Sequence, residues 1–377
     1  MRRGLLVGTG ALALGALVVF GSHPGRVAVK TALFVPQVVP AFPFKPQERL
    51  LPEPVVQKVT FPLPTGGQGE GVLYRPARPG KYGAVLLFLG VNPAGAGDNR
   101  VVNLGKALAR SGLAVLLPRS PVMEDLRMDP GEVERVVGAF QYLQGLPFVD
   151  SRRVGMGGFC VGGSFALLAA ADPRLRERVA FVTAFGPYYD ATDLLVQIAS
   201  RQRFSGGEAR PWEPGGLTRE VFTAHLIASL PDPEERRLLH QVFVEGKGEK
   251  EVRLPPLSRE GEAVRRLLSG VGLEEARRLV EALPEGFRRL MDEVSPRRVA
   301  GQVKAVVLLM HDGQDPLVPS EESGRLAEAL KGQGRVHYTE FRLFEHMDPT
   351  RPVGLLAFLA EAGKLYLHLY RILAVSG

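Results

Sequence analysis

Three places in this 377-residue chain carry side chains that could share one reaction. Cys160, the sole cysteine, stands in Gly158-Phe159-Cys160-Val161-Gly162-Gly163. His311, Asp312 and Asp315 lie in His311-Asp312-Gly313-Gln314-Asp315-Pro316-Leu317-Val318-Pro319, and His346 in Phe344-Glu345-His346-Met347. A thiol, a carboxylate and an imidazole are the groups of nucleophilic catalysis: a base must take the nucleophile's proton, and a third group must orient the base. Small residues flanking Cys160 suit a sharp strand-to-helix turn that presents a reactive side chain. The chain order nucleophile, acid, histidine is the order such a turn requires of its partners. The histidines and carboxylates show no metal-ligand spacing such as H-E-x-x-H. The glycines around Cys160 are not a dinucleotide fingerprint, and no phosphate-binding loop of the Walker type is present. No metal and no cofactor is expected.

The elements that must position these residues read as alternating strand and helix. Val55–Leu63 and Gly71–Arg75 predict a first antiparallel pair. Ala84–Leu89, Leu113–Leu117, Arg153–Phe159, Val179–Phe185 and Val303–Met310 are short apolar runs without alternation, the mark of strands covered on both faces. Helical spacing falls between them, at Asn99–Ser111, Pro130–Leu143 and Cys160–Ala171. Further on, Ser320–Leu330 predicts a helix, Val336–Phe344 a strand and Pro352–Val375 a closing helix. This predicts a doubly wound, mostly parallel sheet with helices on both faces. Between Tyr188 and Ala300 apolar strand runs give way to charged helical segments, which reads as an inserted helical cap. In open α/β sheets the chemistry sits beyond the carboxyl ends of the strands, where all three places fall.

With these residues in view, the chain resembles the α/β-hydrolases, and among them the dienelactone hydrolase family. That family carries G-x-C-x-G-G at its elbow, H-G-x-x-D-x-x-V-P around its acid and a histidine after its last strand. Gly158–Gly163 match the first motif. His311, Asp315, Val318 and Pro319 match the second, with Asp312 in place of the usual Gly, and His346 matches the histidine. The resemblance covers roughly residues 55–191 and 303–375.

The roles follow from that resemblance. Cys160 is expected to be the nucleophile, favoured as an anion by a helix N-terminus and an imidazole. His346 is expected to be the base and Asp315 the group that orients it. The oxyanion is expected on the backbone N–H of Val161 and on one from the Gly90–Asn92 loop, that of Val91. Asp312 and Asp190 are rivals for the acid. Ser164, one helical turn after Cys160, is expected to point into the helix or core. His311, His337 and His368 read as structural, and His225 and His240 as surface residues of the cap. Arg100, Arg119 and Tyr188 lie in loops near the strand ends, within reach of a substrate carboxylate, though solvated loop charges are the default.

Composition bounds the rest. The net charge is +7, but 47 basic residues are mixed with 40 acidic ones and form no long basic run. That excludes a nucleic-acid-binding surface and leaves a mild attraction to anionic membranes. Met1-Arg2-Arg3 precedes the charge-free stretch Gly4–Phe20. Residues 1–22 are therefore expected to anchor the chain in a membrane with the body on the extracytoplasmic side, or to be cleaved and leave it secreted. The prolines of 23–54 predict an extended tether, of which the fairly apolar part Arg26–Val39 is expected to pack on the body or on the membrane surface. Residues 55–190 and 301–377 form the body and 191–300 the cap. The expected function is hydrolysis of a small ester, lactone or thioester through an acyl-cysteine. The alternatives are a catalytically silent tethered binding protein and an acyltransferase using the same three residues.

Overall fold

A computed structural model describes residues 21–39, 42–333, 335–346 and 350–377. The charge-free stretch 4–20 lies outside the described residues. Among those described, no helix is long and apolar enough to cross a membrane.

The strands are β1 (Val55–Pro62), β2 (Gln68–Arg75), β3 (Tyr82–Phe88), β4 (Leu113–Pro118), β5 (Val149–Phe159), β6 (Phe181–Phe185), β7 (Gln202–Ser205), β8 (Glu208–Pro211), β9 (Val306–Asp312) and β10 (Val336–Phe341). Eight of them make one sheet in the order β1-β2-β4-β3-β5-β6-β9-β10. The pairs β1/β2 and β2/β4 are antiparallel and every other pair is parallel. This is the mostly parallel sheet that the alternation predicts, in the α/β-hydrolase arrangement that the resemblance implies. The longer helices before the insertion are α1 (His23–Val38), α2 (Asn99–Arg110), α3 (Glu132–Gly145) and α4 (Val161–Ala171). Within it lie α5 (Ala191–Ser200), α6 (Gly216–Ser229), α7 (Pro233–Phe243), α8 (Arg259–Ser269), α9 (Leu273–Glu281) and α10 (Glu285–Glu293). After it come α11 (Ser320–Leu330) and α12 (Leu355–Ser376).

The strand pleat sends alternate side chains to opposite faces, so each buried strand feeds two cores. On one face Leu86, Phe88 and Met156 pack with Phe140 of α3, Phe165 of α4 and Leu326 of α11. On the other, Val85, Leu87 and Leu308 pack with Leu108 of α2, Phe34 of α1 and Ile372 of α12. Each fully buried side chain of this size contributes about 1.5–3 kcal/mol.

Three details differ from the reading of the sequence. Residues 23–38 are a packed helix where the prolines predict an extended tether. Pro24 falls in the first turn, where no N–H is needed, Pro36 falls in the last, and Ser22 Oγ caps the start by accepting from Gly25 N–H. The apolar side of α1 then docks on α12, with Tyr366 Oη donating to the Ala28 carbonyl at 3.1 Å. Residues 202–211 form a hairpin that the polar sequences of β7 and β8 did not signal; Gly206 and Gly207 supply its two positive φ values, +59° and +87°. Finally, Glu361, Lys364, His368 and Arg371 fall three to four apart on α12 and read as one polar stripe, and part of it turns inward. Glu361 and His368 are buried, while Leu355, Leu356, Leu359 and Leu367 face solvent.

Candidate active site

Strand β5 ends at Phe159 and α4 begins at Val161, so Cys160 is the turn between them. Its backbone sits at φ +51°, ψ −128°, a strained region for a residue with a Cβ. The turn is held by Cys160 N–H donating to the Phe185 carbonyl at 2.7 Å. The neighbouring glycines are required by close approach. A Cβ on Gly158 would meet Gly162 C at 2.3 Å, and one on Gly162 would meet the Phe88 carbonyl oxygen at 2.1 Å. Gly90 lies against the same turn, 2.5 Å from Gly162 N if given a Cβ. The loop after β3 is thereby pressed onto the elbow, and Val91 and Val161 both line the cavity at Cys160.

His346 follows β10 and also adopts a positive φ, +56°. Its Nδ1 lies 2.6 Å from Asp315 Oδ2, and the Cys160 side chain hydrogen-bonds the imidazole as well. With Nδ1 taken by Asp315, Nε2 is the nitrogen left for the sulfur. Asp315 is almost fully buried, yet its other oxygen accepts the N–H groups of Leu317 and Val318 at 2.7 and 3.1 Å. Burial opposes its charge, but His346 and these donors hold its carboxyl below the usual range. Burial likewise opposes the imidazolium of His346. The Asp315 charge and hydrogen bond and the Cys160 contact outweigh it, and the His346 pKa is raised to about 10.

The rivals have other tasks. Asp312 is a fully buried carboxylate gripped at both oxygens by the Arg351 guanidinium, at 2.7 and 2.9 Å. It also accepts the backbone N–H of His346 at 3.2 Å. It therefore holds the loop that carries the imidazole. Asp190 caps α5 and pairs with Arg297. Ser164 is buried and donates to the Tyr188 carbonyl at 2.9 Å, and Tyr188 Oη donates to the Val294 carbonyl. His311 is buried between Ser323 Oγ and the Val318 carbonyl, and burial lowers its pKa. His368 is buried on Thr339 Oγ1. His240 is exposed beside Glu245, as expected of a surface residue. Arg119 pairs with Glu124, and Arg100, which lines the cavity, pairs with Asp98. Among the described residues, no group of three or more His, Cys, Asp or Glu side chains could hold a metal ion.

His225 departs from expectation. It is not a surface residue but lines the cavity, its Nε2 accepting from Met128 N–H at 2.9 Å and its Nδ1 bonded to the Val221 carbonyl. Burial lowers its pKa, which leaves it a neutral tie between α6 and the loop after β4. The insertion is fastened to the Asp315 turn too. Trp212 Nε1 donates to the Asp315 carbonyl at 2.9 Å, Gly215 N–H to Pro316 and Thr218 Oγ1 to Leu317. Trp212 is the sole tryptophan, the one signal in the sequence that could have drawn attention to this contact.

Two kinds of similarity accompany this geometry. The sequence model of the Dienelactone hydrolase family matches residues 121–200, which include Cys160. A protein of Bradyrhizobium sp named "Probable 2-oxo-3-(5-oxofuran-2-ylidene)propanoate lactonase" is 33% identical over 188 residues, covering 43% of this chain and 73% of that protein. Among solved structures, a 2,6-dihydroxy-pseudo-oxynicotine hydrolase aligns with a TM-score of 0.49 and 17% identity over 84% of this chain and 68% of its own. An acylaminoacyl peptidase of Pyrococcus horikoshii aligns with a TM-score of 0.46 and 14% identity, over 86% of this chain and 40% of its own. Likeness at that level bears on neither substrate nor mechanism.

Proposed function

Because the chain belongs to the dienelactone hydrolase family, and is a hydrolase, we propose that it cleaves a carboxylic ester, lactone or thioester through Cys160, His346 and Asp315. The observation that carries this reading is the imidazole of His346, hydrogen-bonded to the buried carboxylate of Asp315 and to the Cys160 side chain. The thiol proton resides on His346 as the imidazolium, and the sulfur attacks the substrate carbonyl carbon. The oxyanion that forms is held by the N–H groups of Val161 and Val91. As the tetrahedral species collapses, the bond to the leaving oxygen or sulfur breaks, and His346 returns the proton to that atom. Water then attacks the acyl-thioester, giving its proton to His346, and the second collapse releases the acid and the thiol. Asp315 stays ionised throughout and stabilises the imidazolium. In a lactone the leaving group and the acyl group are one molecule, so nothing departs until the water step.

Intact-mass analysis during turnover of p-nitrophenyl esters and thioesters tests the reading. An acyl adduct on Cys160, absent in Cys160→Ala together with turnover, is the expected result. Undiminished turnover in Cys160→Ala, or an adduct on another residue, rejects it. Product analysis with added alcohol or amine separates hydrolysis from acyl transfer.

A further inference from the structure

The cavity at Cys160 does not end at the elbow. It is one continuous space of about 900 Å³, near the top of the roughly 300–1,000 Å³ range of small-molecule sites. Leu89, Phe185 and Phe344 line it beside Cys160 and His346. From there it follows the sheet face that carries Val85 and Leu87 and reaches Leu113, at the amino end of β4. Phe34 and Val38 of α1, Leu104 and Leu108 of α2, and Leu369 and Ile372 of α12 close it from the other side. This arm of the space thus lies beneath the three helices on the face opposite α3, α4 and α11, while its other arm reaches the insertion at Leu195, Val221, Phe222 and His225.

The register of the sheet gives its length. Leu113 lies opposite Gly83, and Gly158 opposite Phe88. Those five steps along β3, at about 3.3 Å each, make roughly 17 Å. An extended chain advances about 1.2 Å per bond, as a stretched peptide backbone does, so the run accepts about 14 carbons. Val85, Leu87, Leu104, Leu108, Leu369 and Ile372 along it offer no hydrogen bonds, although Gln37, Lys45, Glu48, Asn103 and Arg110 also line the space; a polar group set against those aliphatic side chains would lose its water without compensation.

We propose that this run holds the acyl chain of the substrate, a linear hydrocarbon of about 12–16 carbons, with its carbonyl at Cys160. The proposal rests on the reading of Cys160 as the acylated residue, and it names the substrate class for that site: long-chain acyl esters or thioesters.

The test uses the full chain and matched p-nitrophenyl esters and thioesters from acetyl to octadecanoyl. KM is expected to fall about three- to fourfold per added methylene, the gain from burying one such group, and to level off near 14–16 carbons, where the run is full. Leu104→Trp fills the middle of the run and is expected to lower the ratio of hexadecanoyl to acetyl kcat/KM at least tenfold. Leu108→Trp is the second block should the first fail to fold. Turnover of acetyl and butyryl esters with no gain from added methylenes overturns the chain proposal and leaves the Cys160 reading standing. If no ester or thioester of any length is turned over, the Cys160 reading fails instead, and direct binding decides the cavity. Micromolar binding of the fluorescent fatty acid cis-parinaric acid, displaced by palmitate and lost in Leu104→Trp, supports the run as a chain site. No binding to the unaltered chain overturns it.

Discussion

Cys160 is held where few residues rest, and the cost of its backbone, about 1–3 kcal/mol, is carried by the surrounding contacts. Gly162 is the tightest of these, since its neighbour is the Phe88 carbonyl, a backbone atom with no room to retreat. Gly162→Ala is expected to push the elbow away from the Gly90 loop and to lower kcat/KM about 100-fold or more, the usual consequence of losing one oxyanion donor. Steady-state kinetics with a p-nitrophenyl ester measures it. The charges at the site make a second prediction. His346 has its pKa raised to about 10, so its imidazolium persists through neutral pH and is lost as the pH rises through that value. Asp315→Asn removes the charge that holds it up, while burial continues to push it down. The alkaline limb of the kcat/KM profile is therefore expected to move to lower pH in the variant. An unmoved limb would show that Asp315 does not support the imidazolium. The three residues at this site were legible in the sequence because each stands in its own motif. The Asp312–Arg351 pair was not, because its members are 39 positions apart and acquire meaning only when the loop folds back.

At the scale of elements, α12 carries a buried imidazole that must stay neutral. Burial, with Arg371 and His337 nearby, lowers the His368 pKa to about 3, well under its unfolded value near 6.5. A histidine depressed in this way contributes stability that is present above the unfolded pKa and lost as the pH falls through the interval down to the folded one. Between pH 7 and pH 4 the melting temperature is therefore expected to drop more steeply in the natural chain than in His368→Leu, as followed by circular dichroism. Equal slopes would dismiss His368 as an acid-sensitive point. The sheet and its flanking helices were readable because their apolar runs are undiluted. The β7-β8 hairpin was not, since Gln202–Ser205 and Glu208–Pro211 are largely exposed and bury no regular face. The helical form of α1 was hidden by Pro24 in its first turn and Pro36 in its last; α12 was legible as a helix, but not the inward side of its polar stripe, whose buried members find partners in Arg342 N–H and Thr339.

At the scale of the molecule, the two ends of the described chain close one face of the sheet. Phe34 of α1 is almost fully buried there. Phe34→Ala is expected to destabilise the fold by about 3–5 kcal/mol, the cost of an emptied aromatic site, read as a lower urea midpoint. A change under about 1 kcal/mol, no larger than an ordinary substitution away from such features, would mean that α1 is an ornament on the body. The packing of α1 on α12 also sets an order of events during synthesis. The chain is made from its amino end at about 5–20 residues per second. Helix α1 is among the first of the described elements to leave the ribosome, and its partner α12 is the last. In between, β6 must wait through the whole insertion for its neighbour β9. The face carrying Val85, Leu87 and Leu308 thus receives α1 and α2 early and has its cover completed only when residues 355–376 arrive. Until then Val85, Leu87 and Leu308 lack the Ile372 and Leu373 side chains, so α12 acts as a late clasp on a face that the earlier helices only partly cover.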